Sequence, residues 1–193
     1  MIRRMDAETL TAVYNNSMKT TFPRMELKPL KAMLRMQADG CYDVWGYYSD
    51  AGELLAYACV CNVSTPVLLD YLAVVENHRG EGLGSIFLGA LMSDKSLYPA
   101  MMLEIEAVSA AEDAADREKR ARRLRFYEKL GFVLTRTEAH VFGEHYWVLD
   151  NQSELGDHDV NDAMTDVYHY MVRNPLVNKK FVRVQTREDT ALS

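Results

Sequence analysis

Hydrophobic residues recur at helical spacing in two segments near the amino terminus. In DAETLTAVYNNSMKTTF, Leu10 and Val13 fall on one helical face, and Asp6 stands where a capping side chain is expected. KPLKAMLRMQADG repeats this spacing and closes with Gly40, a residue type that often follows a helix end. The pattern predicts two helices, the first over about residues 6–19.

The middle of the chain changes to the short apolar runs of β-strands. In CYDVWGYYSDAGELLAYACVCNVS, two such runs flank the turn-forming SDAG, which predicts an antiparallel hairpin. TPVLLDYLAVV and AMMLEIEAV predict further strands, and between them a helix from Gly82 to about Met92 follows a glycine-rich loop. AEDAADREKRARRLRFYEKLGF has the spacing of a helix that Gly131 ends.

The carboxyl-terminal part predicts a second hairpin, then a helix and a strand. FVLTRTEAHVF and EHYWVLD meet at a turn around Gly143, and VNDAMTDVYHYMV and KKFVRVQT follow as helix and strand. We predict one main domain over residues 1–150. Residues 151–193 form a C-terminal extension, packed on the same domain or on the partner in a homodimer.

Composition narrows the class of protein. With 193 residues and 48% hydrophobic content the chain can bury a full core, and a net charge of −6 argues against binding nucleic acid. Asp6 and Glu8 interrupt the apolar stretch that a signal peptide needs, and no segment is long and apolar enough to span a bilayer. We therefore expect a cytoplasmic protein.

Cysteines and histidines give no metal signature in the sequence. Cys59 and Cys61 are expected to be buried small side chains on one strand face, because a single Cys-x-Cys lacks a second pair. His140 and His145 flank a predicted turn, and their spacing does not form a recognised ligand set. No metal is expected.

The stretch HRGEGLGS, after the apolar run LLDYLAVV, is the strongest candidate for chemistry. A strand, a glycine loop and a helix in this order leave unpaired amides at the positive end of a helix dipole, a place that binds phosphate. A P-loop would need Lys after its last glycine, whereas Ser85 follows Gly84, and a dinucleotide fingerprint would need glycine where Ser85 stands. The alternative is a purely structural turn.

The segments LAVVENHRGEGLGSIFL, LEIE and FYEKLGF together resemble the GCN5-related N-acetyltransferase (GNAT) family over about residues 1–150. Arg79, Gly82 and Gly84 match the family's acetyl-CoA signature, and Phe126 to Phe132 match its later aromatic-Tyr-Glu-Lys-Leu-Gly-Phe motif. The resemblance implies a three-layer α+β fold with a mixed, mostly antiparallel sheet. Its fourth and fifth strands splay apart, and acetyl-CoA lies in the gap.

The resemblance also implies how acetyl-CoA is held, with no metal. Backbone groups of Ala73, Val74 and Val75 pair with the pantetheine arm, and the Val74 amide polarises the thioester carbonyl. Loop amides hold the pyrophosphate, and they come from Arg79, Gly80, Glu81, Gly82, Leu83, Gly84 and Ser85.

Transfer of an acetyl group to an amine needs a base, since an alkyl amine with a pKa of about 10 is mostly protonated at neutral pH. Strand alternation puts Glu104 and Glu106 of MLEIEAV on one face. Glu104 also resembles a proposed base of the family's ribosomal-protein acetyltransferases. We predict Glu104 as the base, directly or through water, and Glu106 as a substrate-binding carboxylate; the alternative is that both face solvent.

Other predictions rest on the resemblance. Tyr127 matches the tyrosine that protonates the departing CoA thiolate, and packing at the helix end is its alternative role. Phe22 and Tyr47 are placed at the acceptor pocket, with core packing equally open. Arg120 and Arg123 stand where relatives carry Asn and Ala, which puts the asparagine contact to the cofactor in doubt.

The resemblance predicts an acetyl-CoA-dependent N-acetyltransferase that acts by direct attack in a ternary complex. The acceptor is a small-molecule amine or a protein amine. The alternative function is a non-catalytic module that binds or senses acyl-CoA.

Overall fold

Strands and helices follow one another along the chain largely in the order that the hydrophobic pattern predicts. The computed structural model describes residues 1–152 and 157–187. The chain divides into a first unit, Met1–Asn62 with Leu69–Asp94, and a second unit, Val63–Leu68 with Lys95–Ser193.

The first unit carries strands in the order β1-β2-β3-β4, with β1/β2 and β2/β3 antiparallel. The strands are β1 Ile2–Arg4, β2 Tyr42–Tyr48, β3 Leu54–Cys61 and β4 Val67–Val74. The helices are α1 Ala7–Val13, a π-helical turn Tyr14–Met18, α2 Lys19–Thr21, α3 Leu30–Ala38 and α4 Leu83–Ser93.

Local sequence explains several of these elements. The Asp6 side chain accepts a hydrogen bond from the Thr9 amide at 2.8 Å, so the predicted cap of the first helix is confirmed. The hairpin of β2 and β3 is confirmed as well. Cys59 and Cys61 are fully buried on β3, as predicted, and burial raises the pKa of the Cys59 thiol.

A buried carboxylate fixes the connection between α2 and α3. Asp70 of β4 accepts a hydrogen bond from Lys28 Nζ at 2.7 Å and another from the Tyr42 hydroxyl. The Tyr71 hydroxyl donates to the Glu26 carbonyl at 2.7 Å and accepts from the Lys28 amide at 2.9 Å. Burial, with the nearby Asp70 charge, raises the pKa of Tyr42 well above its ordinary value, so this phenol stays protonated as a donor.

The second unit carries strands in the order β5-β7-β6-β8, all antiparallel. The strands are β5 Met101–Glu106, β6 Val133–Val141, β7 Glu144–Asp150 and β8 Val182–Thr186. The helices are α5 Ala114–Glu128, α6 Asp157–Met171 and α7 Pro175–Phe181. The predicted hairpin around Gly143 is confirmed, with positive φ angles at both turn residues, Phe142 and Gly143.

The C-terminal extension adds the last strand to this part of the sheet, because β8 pairs with β6 from Thr137 to Val141. The predicted strand KKFVRVQT is wrong at its start: Pro175–Phe181 forms α7, and the strand begins at Val182. Asn174 explains the difference, because its side chain accepts hydrogen bonds from the amides of Leu176 and Val177. Asn174 thus caps a helix whose first residue is Pro175.

β4 begins in one unit and continues into the other. The Val67 amide donates to the Ala100 carbonyl at 3.0 Å within the second unit, while β4 from Leu69 onward belongs to the first. The predicted α+β class, with a mostly antiparallel arrangement of strands, is confirmed. Within the described residues, none of the helices has both the length and the apolar character needed to cross a membrane.

Candidate active site

The glycine loop lies between the end of β4 and the start of α4. Gly80 and Gly82 have φ angles of 89° and 77°, left-handed values that favour glycine, and Gly82 is the N-cap of the 11-residue helix α4. A Cβ added at either position would meet no heavy atom within 4 Å. The backbone of the loop is therefore not packed against other residues at these two positions.

Hydrogen bonds within the loop narrow the set of amides that can hold an anion. The Arg79 amide donates to the Glu76 carbonyl at 3.3 Å, and the Ser85 amide donates to the Gly82 carbonyl at 3.1 Å. Leu83 and Gly84 occupy the first helical positions, where amides have no carbonyl one turn earlier. The amides from Gly80 to Gly84 are thus the better candidates, and the predicted contributions of the Arg79 and Ser85 amides are not supported.

At the end of β4, Val74 differs from its neighbours in the direction of its backbone amide. The Val75 amide donates to the Leu55 carbonyl of the β3 edge at 2.9 Å, so it is already used, contrary to its predicted pairing with pantetheine. Successive strand residues direct their amides to alternate sides, so the amides of Ala73 and Val75 point towards β3 and the Val74 amide points away. The Val74 carbonyl accepts from Arg79 Nε at 3.3 Å.

His78 adds a protonatable group to the loop. Its Nε2 lies 3.2 Å from Glu53 Oε1, and its Nδ1 lies 3.6 Å from Glu81 Oε1. The hydrogen bond with Glu53 raises the pKa of His78, against a smaller opposing effect of desolvation. The raised pKa increases the fraction of imidazolium at a given pH beside the loop.

Glu104 of β5 is held by a residue that sequence reasoning missed. The Tyr168 hydroxyl of α6 lies 2.6 and 2.8 Å from the two carboxylate oxygens of Glu104. Tyr168 is buried, and the Asn178 side-chain amide donates to its carbonyl at 2.9 Å. The periodicity of α6 indicates that Tyr168 lies on its buried face, but nothing in the sequence identifies its partner 64 residues away.

Glu106, two residues further along β5, is engaged within the protein. Its carboxylate accepts from Arg123 of α5, and Glu106 is 8% exposed. Arg120 donates to the Ala107 carbonyl at 3.0 Å and pairs with Asp116 at 2.8 Å. The prediction that Glu106 binds a substrate cation is therefore not supported. The two arginines that depart from the family pattern instead join α5 to the end of β5.

The segment FYEKLGF forms a Schellman motif that fixes the position of Tyr127. The Phe132 amide donates to the Tyr127 carbonyl at 3.1 Å, and the Gly131 amide donates to the Glu128 carbonyl at 3.0 Å. Gly131 has a φ of 88°, and the rings of Tyr127 and Phe132 meet edge to face at 5.8 Å. The predicted role of Gly131 as helix terminator is confirmed.

The hydroxyl of Tyr127 is suited to carry a proton at any ordinary pH. Burial raises the pKa of Tyr127 to about 12, although the charge of Arg123 opposes this effect. A phenol with this pKa remains protonated where the reaction needs a donor.

The aromatic residues predicted for the acceptor pocket do not lie together. Phe22 packs edge to face on Tyr71 at 4.8 Å and on Tyr57 at 6.5 Å. Tyr47 stacks on Phe87 of α4 at 5.8 Å. Gly46 is the β2 partner of Tyr57, so Tyr47, the next residue, points to the opposite face of the sheet. Both side chains therefore pack on aromatic rings, as in the core-packing alternative, and their predicted contact with the acceptor gains no support from this arrangement.

Comparison with known proteins agrees with the loop and the fold. Residues 40–134 match the model of the acetyltransferase (GNAT) domain. The proposed acetyltransferase YjbC of Bacillus subtilis (strain 168) is 29% identical over 163 residues, which are 76% of this chain and 74% of that protein.

Solved structures with similar folds come from the same family. A Bacteroides thetaiotaomicron protein assigned to the GNAT family of acetyltransferases has a TM-score of 0.70 at 14% identity, covering 89% of this chain and 97% of its own. The ribosomal-protein-S18-alanine N-acetyltransferase from Escherichia coli has a TM-score of 0.58 at 20% identity, covering 80% and 97%. A spermidine N-acetyltransferase chimera from Vibrio cholerae and hSSAT has a TM-score of 0.56 at 11% identity, covering 78% and 94%.

The chain thus carries an acetyltransferase (GNAT) domain over residues 40–134. The family and the enzyme class predicted from HRGEGLGS and FYEKLGF are thereby confirmed.

Proposed function

We propose that this protein transfers the acetyl group of acetyl-CoA directly to an amine, in a ternary complex and in the cytoplasm. The observation that carries the proposal is the glycine loop at the start of α4, where Gly80 and Gly82 have left-handed φ angles and no neighbouring atoms on their Cβ side. Amides from Gly80 to Gly84 bind the phosphates, each charge-assisted hydrogen bond contributing about 1.5–3 kcal/mol. No metal is required for this step.

The Val74 amide is the proposed donor to the thioester carbonyl. The Val74 amide points away from β3, whereas the amide of the next residue, Val75, donates a hydrogen bond to the Leu55 carbonyl. A donor aimed at this carbonyl stabilises the negative charge that develops on the oxygen when the amine attacks.

Two side chains of the second unit are the proposed proton carriers. Glu104 takes a proton from the ammonium group of the acceptor, directly or through water, so that the neutral amine attacks the thioester, and Tyr168 orients the Glu104 carboxylate through both oxygens. Tyr127 donates a proton to the CoA thiolate, for which its raised pKa of about 12 keeps it protonated. The C–N bond forms as the C–S bond breaks; an ammonium acceptor loses two protons in all, of which one ends on the thiolate by way of Tyr127 and one is released to solvent.

The acceptor is an amine of a small molecule or of a protein. Two proteins of similar fold are N-acetyltransferases, one for spermidine and one for ribosomal-protein-S18 alanine, which supports an amine acceptor without choosing between these classes. The pairing of Glu106 with Arg123 removes one argument for a strongly cationic acceptor.

Calorimetric titration with acetyl-CoA tests the cofactor site. Gly82→Trp should abolish binding, whereas Gly40→Trp should preserve it. Gly40 is a matched control, because its φ of 74° and its open surroundings resemble those of Gly82. Equal binding by both variants would refute the loop as the cofactor site.

Release of free CoA on a panel of amines then tests turnover. Activity that falls at least about 100-fold in Glu104→Gln at neutral pH supports the base assignment. Binding of acetyl-CoA with no thioester consumption on any amine would favour the non-catalytic acyl-CoA module instead.

A further inference from the structure

The hairpin of β6 and β7 brings together three side chains that are separated in the sequence. Its two-residue turn, Phe142 and Gly143, makes His140 the cross-strand partner of His145 and Glu138 that of Trp147. Because alternate strand residues share a face, Glu138, His140 and His145 all project from the same side of the sheet. The two imidazole rings stack at 4.3 Å with an angle of 10° between their planes.

Two of the distances among these groups are close to those between ligands on one metal ion. Two nitrogen or oxygen ligands on a tetrahedral ion lie about 3.3 Å apart when each bond is about 2.0 Å. His145 Nε2 lies 2.9 Å from Glu138 Oε2, and His140 Nε2 lies 3.6 Å from Glu138 Oε1. One ligand atom from each residue lies within 4.8 Å of the other two.

The carboxylate is supported in the manner of a metal ligand. Glu138 is 8% exposed, and the Gln185 side-chain amide of β8 donates to its Oε1 at 2.6 Å. This outer partner fixes the orientation of the Glu138 carboxylate, as outer hydrogen-bond partners do in metal sites.

We propose that Glu138, His140 and His145 bind one divalent transition-metal ion, with Zn²⁺ as the best match. Two imidazole nitrogens and one carboxylate oxygen are ligands that Zn²⁺ accepts, and they leave a fourth position for water or another molecule. The side chains of His140 and His145 are 43% and 24% exposed, so the ion can enter from solvent. The sequence expectation of no metal is revised by this proposal, which is independent of the acetyl transfer.

The positive charge of a nearby arginine opposes binding of the metal ion. Arg183 of β8 is the cross-strand partner of His140 and is exposed. Removing its charge should tighten metal binding by about two- to fivefold at low salt, since the repulsion of a dication acts through solvent. A purely structural role of the three side chains would give no such gain.

Titration of tag-free protein with ZnCl₂ by calorimetry tests the site. We expect one ion per chain, with binding lost in His140→Ala, His145→Ala and Glu138→Gln. Gln185→Ala should weaken binding about 10- to 100-fold, because it removes the outer partner of the carboxylate. His169→Gln, a substitution of an exposed histidine on α6, is the matched control and should bind normally.

Fluorescence gives a second readout that reports from the cluster itself. Trp147 is the cross-strand partner of Glu138, and the chain has one other tryptophan, Trp45. In a Trp45→Phe background, Co²⁺ should quench Trp147 emission with the same midpoint that calorimetry gives, and the cobalt spectrum should lack a thiolate charge-transfer band.

Several outcomes would overturn the proposal. These are no saturable Zn²⁺ binding to folded protein, binding that persists in the His140→Ala, His145→Ala double variant, or a thiolate band that assigns the ion to a cysteine. Circular dichroism of each variant establishes that a loss of binding is not a loss of fold.

Discussion

Replacing Tyr168 by phenylalanine removes one hydroxyl and leaves the buried ring in place. In the native protein this hydroxyl lies 2.6 and 2.8 Å from the two oxygens of Glu104. A hydrogen bond to a charged group contributes about 1.5–3 kcal/mol. Glu104 is half-buried, so water replaces part of the lost interaction, and its carboxyl pKa is expected to rise.

The sign of the effect on activity follows from this shift. Loss of a donor disfavours the carboxylate, so Glu104 becomes protonated at higher pH and the acidic limb of kcat/KM moves to higher pH. The alkaline plateau should change little, because Glu104 is ionised there in both proteins.

The assay measures kcat/KM for acetyl-CoA from about pH 5 to pH 9, with the amine acceptor at a saturating concentration. Tyr170→Phe is the control, since it makes the same chemical change on α6 two residues away. In a Glu104→Gln background, Tyr168→Phe should produce no further shift. An acidic limb identical to that of the native enzyme, with the fold intact, would refute the reasoning that Tyr168 controls Glu104.

Three further predictions concern stability and the proton donor. Asp70→Asn should lower the free energy of unfolding by about 3 kcal/mol in urea, because Lys28 loses its buried partner while keeping some contact with water; a loss below about 1 kcal/mol would contradict this role. Gly131→Ala should lower the free energy of unfolding by about 1–2 kcal/mol, because the φ of 88° at this position disfavours a Cβ. Gly89→Ala, within α4 and in open space, should raise it by up to about 1 kcal/mol. Changes of the same sign in both variants would count against this backbone argument. Tyr127→Phe should lower kcat by about 10²-fold or more. The kcat of the native enzyme should not fall below about pH 11 through loss of the Tyr127 proton, because a pKa of about 12 keeps the phenol protonated. An alkaline decrease in kcat at lower pH that is present in the native enzyme and absent from the variant would contradict this prediction.

Features that depend on neighbouring residues could be predicted from the sequence. The Schellman motif at Gly131 and the helix cap at Asp6 arise from side chains and backbone within a few positions, so their sequence signals are complete. The same holds for the glycine loop, where positive φ values at Gly80 and Gly82 follow from residue type.

Features that depend on what covers a strand face could not be predicted. Alternation placed Glu104 and Glu106 on one face, but it gave no indication that Tyr168 would contact the first and Arg123 the second. These partners come from helices that pack on the sheet only in the folded chain. For the same reason Phe22 and Tyr47 were assigned to one pocket although they lie on opposite faces of a sheet.

The histidine pair is an intermediate case. His140 and His145 are five positions apart, and their chain spacing has no ligand pattern. A two-residue turn between strands nevertheless fixes the register, so the predicted hairpin already implied that they face each other. Reading the register rather than the spacing would have found them.

The pairing of β8 with β6 bears on how short this enzyme can be. Without residues 151–193, β6 would become the edge strand and would present its unpaired amides and carbonyls, together with the exposed Val133, to other molecules. A chain cut at residue 150 would be prone to strand-to-strand aggregation even with every loop and catalytic residue of the first 150 positions intact. The extension thus acts as a built-in solubility device, and deletions from the carboxyl terminus should be judged first by light scattering and only then by activity.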